Sequence, residues 1–147
     1  MVVRPHPAEN QEPWHAIAAQ CNNLHVTNEG NVIPWLIAAK ALVHNGCTTA
    51  VEAAVLGTPA ISYRPVIDDA CDFALPNSLS HEAFSLEQLL SEVGAISEGR
   101  PCPDNGSARR AILARHIASL EGPLAADRIV SALCDAEIGR ASCRERV

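Results

Sequence analysis

The chain has 147 residues, of which 48% are hydrophobic and 19% charged, and its formal net charge at pH 7 is −6. A chain of this length buries about 70% of its unfolded surface, which is enough for the core of one soluble domain. The composition excludes a disordered chain, and the acidic balance argues against a protein that binds nucleic acid through a basic face.

The sequence shows no candidate for a membrane span or a secretory signal. The longest apolar tract, residues 32–43, is too short and is interrupted by Pro34 and Lys40. The six cysteines show neither a CxxC pair nor the spacing of a zinc site. We therefore expect a cytoplasmic protein with reduced thiols and no metal site, disulfides being the alternative.

Short strands and helices alternate through the first half of the chain. The pattern predicts the end of a strand at residues 2–4 and further strands over 24–27, 41–44 and 60–63. It predicts helices over 10–22, 32–41 and 49–56, the last of them closed by Gly57. This alternation is typical of a Rossmann-like open parallel sheet with helices on both faces, and we expect that α/β fold.

The second half has a different character. Residues 64–80 look irregular, and a capping box at Ser85 predicts a helix that ends near Gly94. Residues 101–106 are predicted as a loop, Ser107 caps a helix to about residue 120, and a last helix follows to about residue 136. We expect one domain over residues 1–137 and a non-native or disordered tail over 138–147, the alternative being a native basic tail.

The connection between the third strand and the third helix has the layout of a phosphate-binding turn. Ligands bind at the carboxyl ends of parallel strands, where helix N-termini present free N–H groups and positive dipole ends. Gly46 allows the backbone to approach an anion closely, and Thr48 and Thr49 add hydroxyl donors. Glu52 either closes a capping box with Thr49 or accepts hydrogen bonds from ribose hydroxyls.

Two histidines lie beside predicted strand ends. His44 can bind a phosphate or carry a proton, and the alternative is a core histidine bonded to the backbone. His6 follows the first strand between two prolines, and Arg4 beside it can hold a phosphate; the alternative is a rigid turn with polar surface groups. We interpret the other four histidines as structural: His15, His25, His81 and His116.

The segment from Gly46 to Pro59 resembles the donor-domain signature of GT-B glycosyltransferases, G-x-x-T/S-x-x-E-x-x-x-x-G-x-P. Together with "RPHP", the longer run "PWLIAAKALVHNGCTTAVEAAVLGTPAISYRP" and "GPLAADRIVSAL", it is similar to bacterial surface carbohydrate biosynthesis proteins. These are relatives of capsule and lipopolysaccharide enzymes, distantly akin to CDP-glycerol glycerophosphotransferases. Nonhydrolysing sugar-nucleotide 2-epimerases share the GT-B architecture.

The resemblance implies a role for each matched position. Thr48 and Thr49 would contact the diphosphate and Glu52 the ribose, while Arg4 and His6 would face the phosphate from the first strand. A loop would lie near the nucleobase and read it mainly through the backbone. That loop consists of Asn28, Glu29, Gly30 and Asn31.

The resemblance also implies what accompanies the chain. The ligand would be a nucleotide-sugar donor with no further cofactor, and the family's N-terminal acceptor domain would be missing, so that this chain alone is expected to be inactive. Peripheral association with the inner membrane would come through the full-length protein. The alternatives are a UDP-sugar 2-epimerase-like domain and an α/β module that binds nucleotides without catalysis.

Overall fold

The computed structural model describes residues 1–68, 72–100, 106–117 and 122–136. Over these residues the chain is α/β, with seven helices and two small parallel sheets. In chain order the elements are β1 (Val2–Val3), α1 (Glu12–Ala18), β2 (His25–Val26), α2 (Ile33–Ala38), β3 (Leu42–His44), α3 (Thr49–Leu56), β4 (Ala60–Tyr63), α4 (Ala74–Ser78), β5 (His81–Ala83), α5 (Leu86–Ser97), α6 (Gly106–His116) and α7 (Ala125–Asp135).

The strands form one pair and one triplet. β1 pairs with β2, and β3, β4 and β5 lie side by side in that order, all of them parallel. The register places His44 beside Ser62 and Ser62 beside Glu82. Because aligned residues of neighbouring strands point to the same face, these three side chains form one row across the triplet near its carboxyl edge.

Small side chains let α3 approach α2 and the triplet closely. Leu36 of α2, Ala50 and Ala53 of α3 and Ala60 of β4 form one buried cluster. Ala50 and Ala53 are fully buried, so there is no room for a larger side chain between the helix and its neighbours. This packing fixes the direction in which the N-terminus of α3 points.

Local signals in the sequence set several helix ends. Pro34 lies in the first turn of α2, where its missing N–H costs nothing. Gly57 ends α3 with a φ of 77°, and the N–H of Thr58 donates to the carbonyl of Ala53 at 2.9 Å. Ser85 caps α5 by accepting the N–H of Gln88 at 3.2 Å, as the capping box predicts.

The region predicted as irregular contains regular structure. α4 lies within residues 64–80, and β5 follows directly after them, although neither was predicted. Pro76 in the middle of α4 masks a helix this short, and three residues are too few to show the alternation of a strand. α5 also extends beyond Gly94 to Ser97, while α1 is shorter than residues 10–22.

Two predictions lie outside the described residues. These are the tail over 138–147 and most of the loop over 101–106, although Gly106 itself begins α6. Within the described ranges, no helix has the length and hydropathy needed to cross a membrane.

Candidate functional site

The turn between β3 and α3 is a tight loop at the carboxyl end of its strand. Gly46 is buried and has a φ of 65°, a left-handed conformation that glycine adopts without steric cost. The helix begins at Thr49, three residues later. Thr48 is exposed and Thr49 is half-buried, so the turn presents both residues to solvent.

The first backbone donors of α3 are left free by this geometry. The N–H groups of Ala50 and Val51 donate to the carbonyls of Cys47 and Thr48, at 3.1 and 2.9 Å. The N–H groups of Thr48 and Thr49 precede these bonds and have no partner among the described residues. No side chain caps the helix, so its positive end remains open to an anion.

Glu52 does not close the predicted capping box with Thr49. The N-cap of α3 is Thr48 rather than Thr49, and it makes no side-chain capping bond. Glu52 therefore sits one residue beyond the position from which a box is closed, and its exposed carboxylate has no hydrogen-bond partner within the described ranges. The side chain is free to accept hydrogen bonds from a ligand.

His44 is buried with both ring nitrogens occupied. The N–H of Cys47 donates to Nδ1 at 3.2 Å, and Nε2 lies 2.7 Å from the hydroxyl oxygen of Ser80. The Ser80 hydroxyl in turn donates to the carbonyl of Pro76 at 2.8 Å. Burial, and secondarily the positive charge of Arg64, lower the pKa of His44 to about 4.

A polar network that the sequence did not predict lies on the strands and loops next to this histidine. Arg64, directly after β4, is ion-paired with Asp72 at 2.9 Å and with Glu82, and it stacks on the ring of Phe84. The Ser62 hydroxyl donates to Oδ1 of Asn77 at 2.8 Å. The only sequence signal was position, because Ser62 and Arg64 lie at the carboxyl end of a predicted parallel strand.

A cleft of about 440 Å³ opens beside the network. Its lining combines charged, polar and apolar side chains: Arg64, Ile67, Asp72, Ala74, Asn77, Ser78, Ser80 and Glu82. Two donors next to it, Arg64 Nε and Asn77 Nδ2, are buried without a partner among the described residues. The cleft is therefore rich in polar groups but carries a net negative charge.

Arg4 and the loop after β2 are brought together. The two terminal nitrogens of Arg4 donate to the carbonyls of Glu29 and Gly30, at 3.0 Å each, and the guanidinium stacks on Trp35 of α2. The Asn31 side chain accepts the N–H of Ile33, the first residue of α2, at 2.8 Å. Arg4 thus holds the loop that the resemblance places near a nucleobase.

His6 lies in an exposed turn after β1. Its Nδ1 accepts the N–H of Ala8 at 3.2 Å, and its backbone N–H donates to the Glu9 carboxylate. No hydrogen bond or ion pair joins His6 or Arg4 to the turn before α3 in the described part of the chain. The structure therefore shows two separate groups of predicted residues, one around Arg4 and one around Gly46.

The His81 side chain lies against side chains of two helices. Nη1 of Arg109 in α6 lies 2.8 Å from its Nε2, and Glu92 of α5 lies 3.7 Å from its Nδ1. Burial, then the positive charge of Arg109, lower the pKa of His81, against the opposing effect of Glu92. The ring connects β5 to two helices.

The described ranges contain no cluster of three or more histidine, cysteine, aspartate or glutamate side chains that could hold a metal ion. The chain matches no protein-family model, no curated protein and no solved structure. The motif around Gly46 and the geometry of the turn that contains it are therefore the features that bear on function.

Proposed function

We propose that this chain is the donor-binding part of a glycosyltransferase-like enzyme that builds bacterial surface polysaccharide, and that it binds a nucleotide sugar through its diphosphate. The turn before α3 carries the proposal. It combines a left-handed Gly46, two free N–H groups at a helix N-terminus and an unengaged carboxylate one turn further on. These are the groups that a diphosphate and its ribose require.

In this proposal the two sheets are flanks of one open Rossmann-like sheet. The doubly wound strand order is 3-2-1-4-5-6. If β1 to β5 correspond to strands 2 to 6, the order is β2-β1, a gap, and β3-β4-β5. Both observed sheets fit this order, and the gap is one parallel strand that the described residues do not supply.

The proposal assigns distinct parts of the ligand to the two groups of residues. Thr48 and Thr49 hold the diphosphate, and Glu52 accepts the ribose hydroxyls. The loop held by Arg4 lies near the base, which its backbone reads. His6 keeps the candidate catalytic role, because its Nε2 has no partner among the described residues, whereas both nitrogens of His44 are engaged.

One observation favours a second candidate, a nucleotide-binding module without catalysis. The His44 ring is bonded to the turn that forms the proposed phosphate site, and it has no free nitrogen with which to carry a proton. Binding of a nucleotide sugar without any transfer or hydrolysis would favour this candidate.

Calorimetry with nucleoside diphosphates and the matching nucleosides tests the proposal. We expect a diphosphate to bind more tightly than its nucleoside, because the free N–H groups act on phosphate oxygens. Thr48→Ala should weaken the diphosphate about tenfold and spare the nucleoside. Ser91→Ala, which removes an exposed hydroxyl on α5, is the control. Equal affinity for diphosphate and nucleoside would contradict the proposal, and conversion of UDP-GlcNAc to its manno epimer would identify an epimerase instead.

A further inference from the structure

The hydrogen bonds of His44 define which nitrogen carries the proton. The Ser80 hydroxyl gives its hydrogen to the Pro76 carbonyl, so its oxygen must accept a hydrogen from the ring. The ring therefore carries its N–H at Nε2, and the bare Nδ1 accepts the N–H of Cys47. The neutral form with this tautomer is the only one that satisfies all three bonds.

We infer that His44 is a positioning residue, whose neutral ring holds the backbone at Gly46 and Cys47 in the form that presents the N–H groups of Thr48 and Thr49. The inference rests on the proposed function, because it concerns the same turn. In this role the ring fixes the conformation of the turn and does not exchange a proton with the ligand.

The geometry explains why a ring is needed at this position. The Cys47 N–H belongs to the residue between the left-handed Gly46 and the N-cap Thr48, so its bond to Nδ1 fixes the chain as it enters α3. Ser80 lies 36 residues away and anchors the opposite side of the ring. A proton on Nδ1 would replace the acceptor with a donor and release the turn.

The charged groups around the ring keep it neutral. Arg64, after β4, is the charged group that acts on the ring, and it is itself paired with Asp72 and with Glu82 of β5. On α3 the only charged side chain is the exposed Glu52, and α4 carries none. Among the described residues no carboxylate contributes to the pKa shift of the ring, and the nearby Asp72 and Glu82 are paired with Arg64.

Two substitutions separate the roles of the two nitrogens. In His44→Asn, Oδ1 takes the place of Nδ1 and can still accept the Cys47 N–H, while the bond to Ser80 is lost. In His44→Gln, the side-chain NH₂ reaches the position of Nε2 and can donate to Ser80, while the acceptor for Cys47 is lost. Ser80→Ala removes the anchor and leaves the ring in place.

The test uses nitrogen-15 spectra of the ring and hydrogen exchange of backbone amides in the full chain, together with calorimetry using UDP as the probe. We expect the wild-type ring to be protonated at Nε2 only. The Cys47 amide should exchange about tenfold faster in the Gln variant than in the Asn variant. UDP should likewise bind about threefold to tenfold more weakly to the Gln variant than to the Asn variant. Ser80→Ala should show a smaller increase in exchange at the same amide.

A proton on Nδ1 in the wild-type ring, or equal exchange of the Cys47 amide in the Asn and Gln variants, would overturn the inference. A different measurement, UDP binding to the wild-type chain, shows whether the proposed function is wrong. If UDP does not bind the wild-type chain, the ligand assignment is wrong, while the ring spectrum and the Cys47 exchange still decide whether His44 holds the turn.

Discussion

The protonation state of His44 follows from the position of its ring. The side chain is buried at the carboxyl end of β3, where a positive charge loses its hydration and meets the guanidinium of Arg64. Both effects favour the neutral ring, whose pKa falls from 6.5 to about 4. An unfolded chain has neither effect, so its histidine takes up a proton at a much higher pH.

This difference predicts a pH dependence of stability. Between pH 6.5 and about 4 the unfolded chain binds a proton at residue 44 and the folded chain does not. The contribution of the neutral His44 ring to the free energy of unfolding is fully present above pH 6.5. As the pH is lowered through this window, the free energy of unfolding should fall by about 1.4 kcal/mol for each pH unit. Urea unfolding at several pH values measures it.

His44→Asn is the control for this prediction, because it removes the titrating ring and retains an acceptor for Cys47. The pKa of His81 is also lowered, but His81 contributes equally to both proteins. The difference in stability between wild type and variant should therefore shrink as the pH falls. Parallel curves for the two proteins would show that His44 titrates alike in the folded and unfolded chains.

Some features of single residues could be read from the sequence and others could not. The left-handed Gly46 was foreseeable, because a strand and a helix are joined there by a short connection. The partner of His44 was not, because Ser80 lies 36 residues away and only the folded sheet brings the two together. The capping box at Thr49 was wrong because the helix begins at Thr49 itself, one residue earlier than the box requires.

At the scale of elements, the predictions succeeded where the local signals are strong. The bounds of α3 and β4 match those predicted, since Gly57 and Pro59 separate a helical run from an apolar one. α4 and β5 were missed, because their formation depends on packing against α3 and β4 rather than on a pattern in five or three residues.

The cap of α5 gives a test at this scale. Ser85 accepts the N–H of Gln88, and the Gln88 side chain accepts the N–H of Phe84 at 2.7 Å. Ser85→Ala should lower the free energy of unfolding by about 1 kcal/mol, because a helix N–H then loses its partner. Ser91→Ala, in the exposed middle of the same helix, should leave it nearly unchanged. Equal effects of the two substitutions in thermal unfolding would contradict the cap.

The close approach of α3 to its neighbours gives a second test. Ala53 is fully buried in the cluster with Leu36 and Ala60. Ala53→Leu should destabilise the fold by about 1–3 kcal/mol, because the larger side chain forces the helix away from the sheet. Ala38→Leu, at an exposed position of α2, is the matched control. If Ala53→Leu left the free energy of unfolding in urea unchanged, α3 would pack less tightly than described.

At the scale of the whole molecule, the alternation of strands and helices predicted the α/β class correctly. It could not predict that the strands divide into a pair and a triplet, because pairing depends on contacts between distant segments. The proposed strand order explains this division by one strand between β1 and β3. Under this proposed order, the turn before α3 would lie at the point where ligands bind in doubly wound sheets.

The most direct test of the central claim is calorimetry of Glu52→Ala with a nucleoside diphosphate and its 2′,3′-dideoxy analogue. Because Glu52 closes no capping box, its removal should change stability by less than about 0.5 kcal/mol. It should weaken the diphosphate by roughly 1.5–3 kcal/mol and leave the dideoxy analogue almost unaffected, since a charged acceptor of ribose hydroxyls is lost. Glu87→Ala, an exposed acid in the first turn of α5, controls for charge. Equal weakening of both ligands by Glu52→Ala would contradict the ribose role and, with it, the proposed nucleotide site.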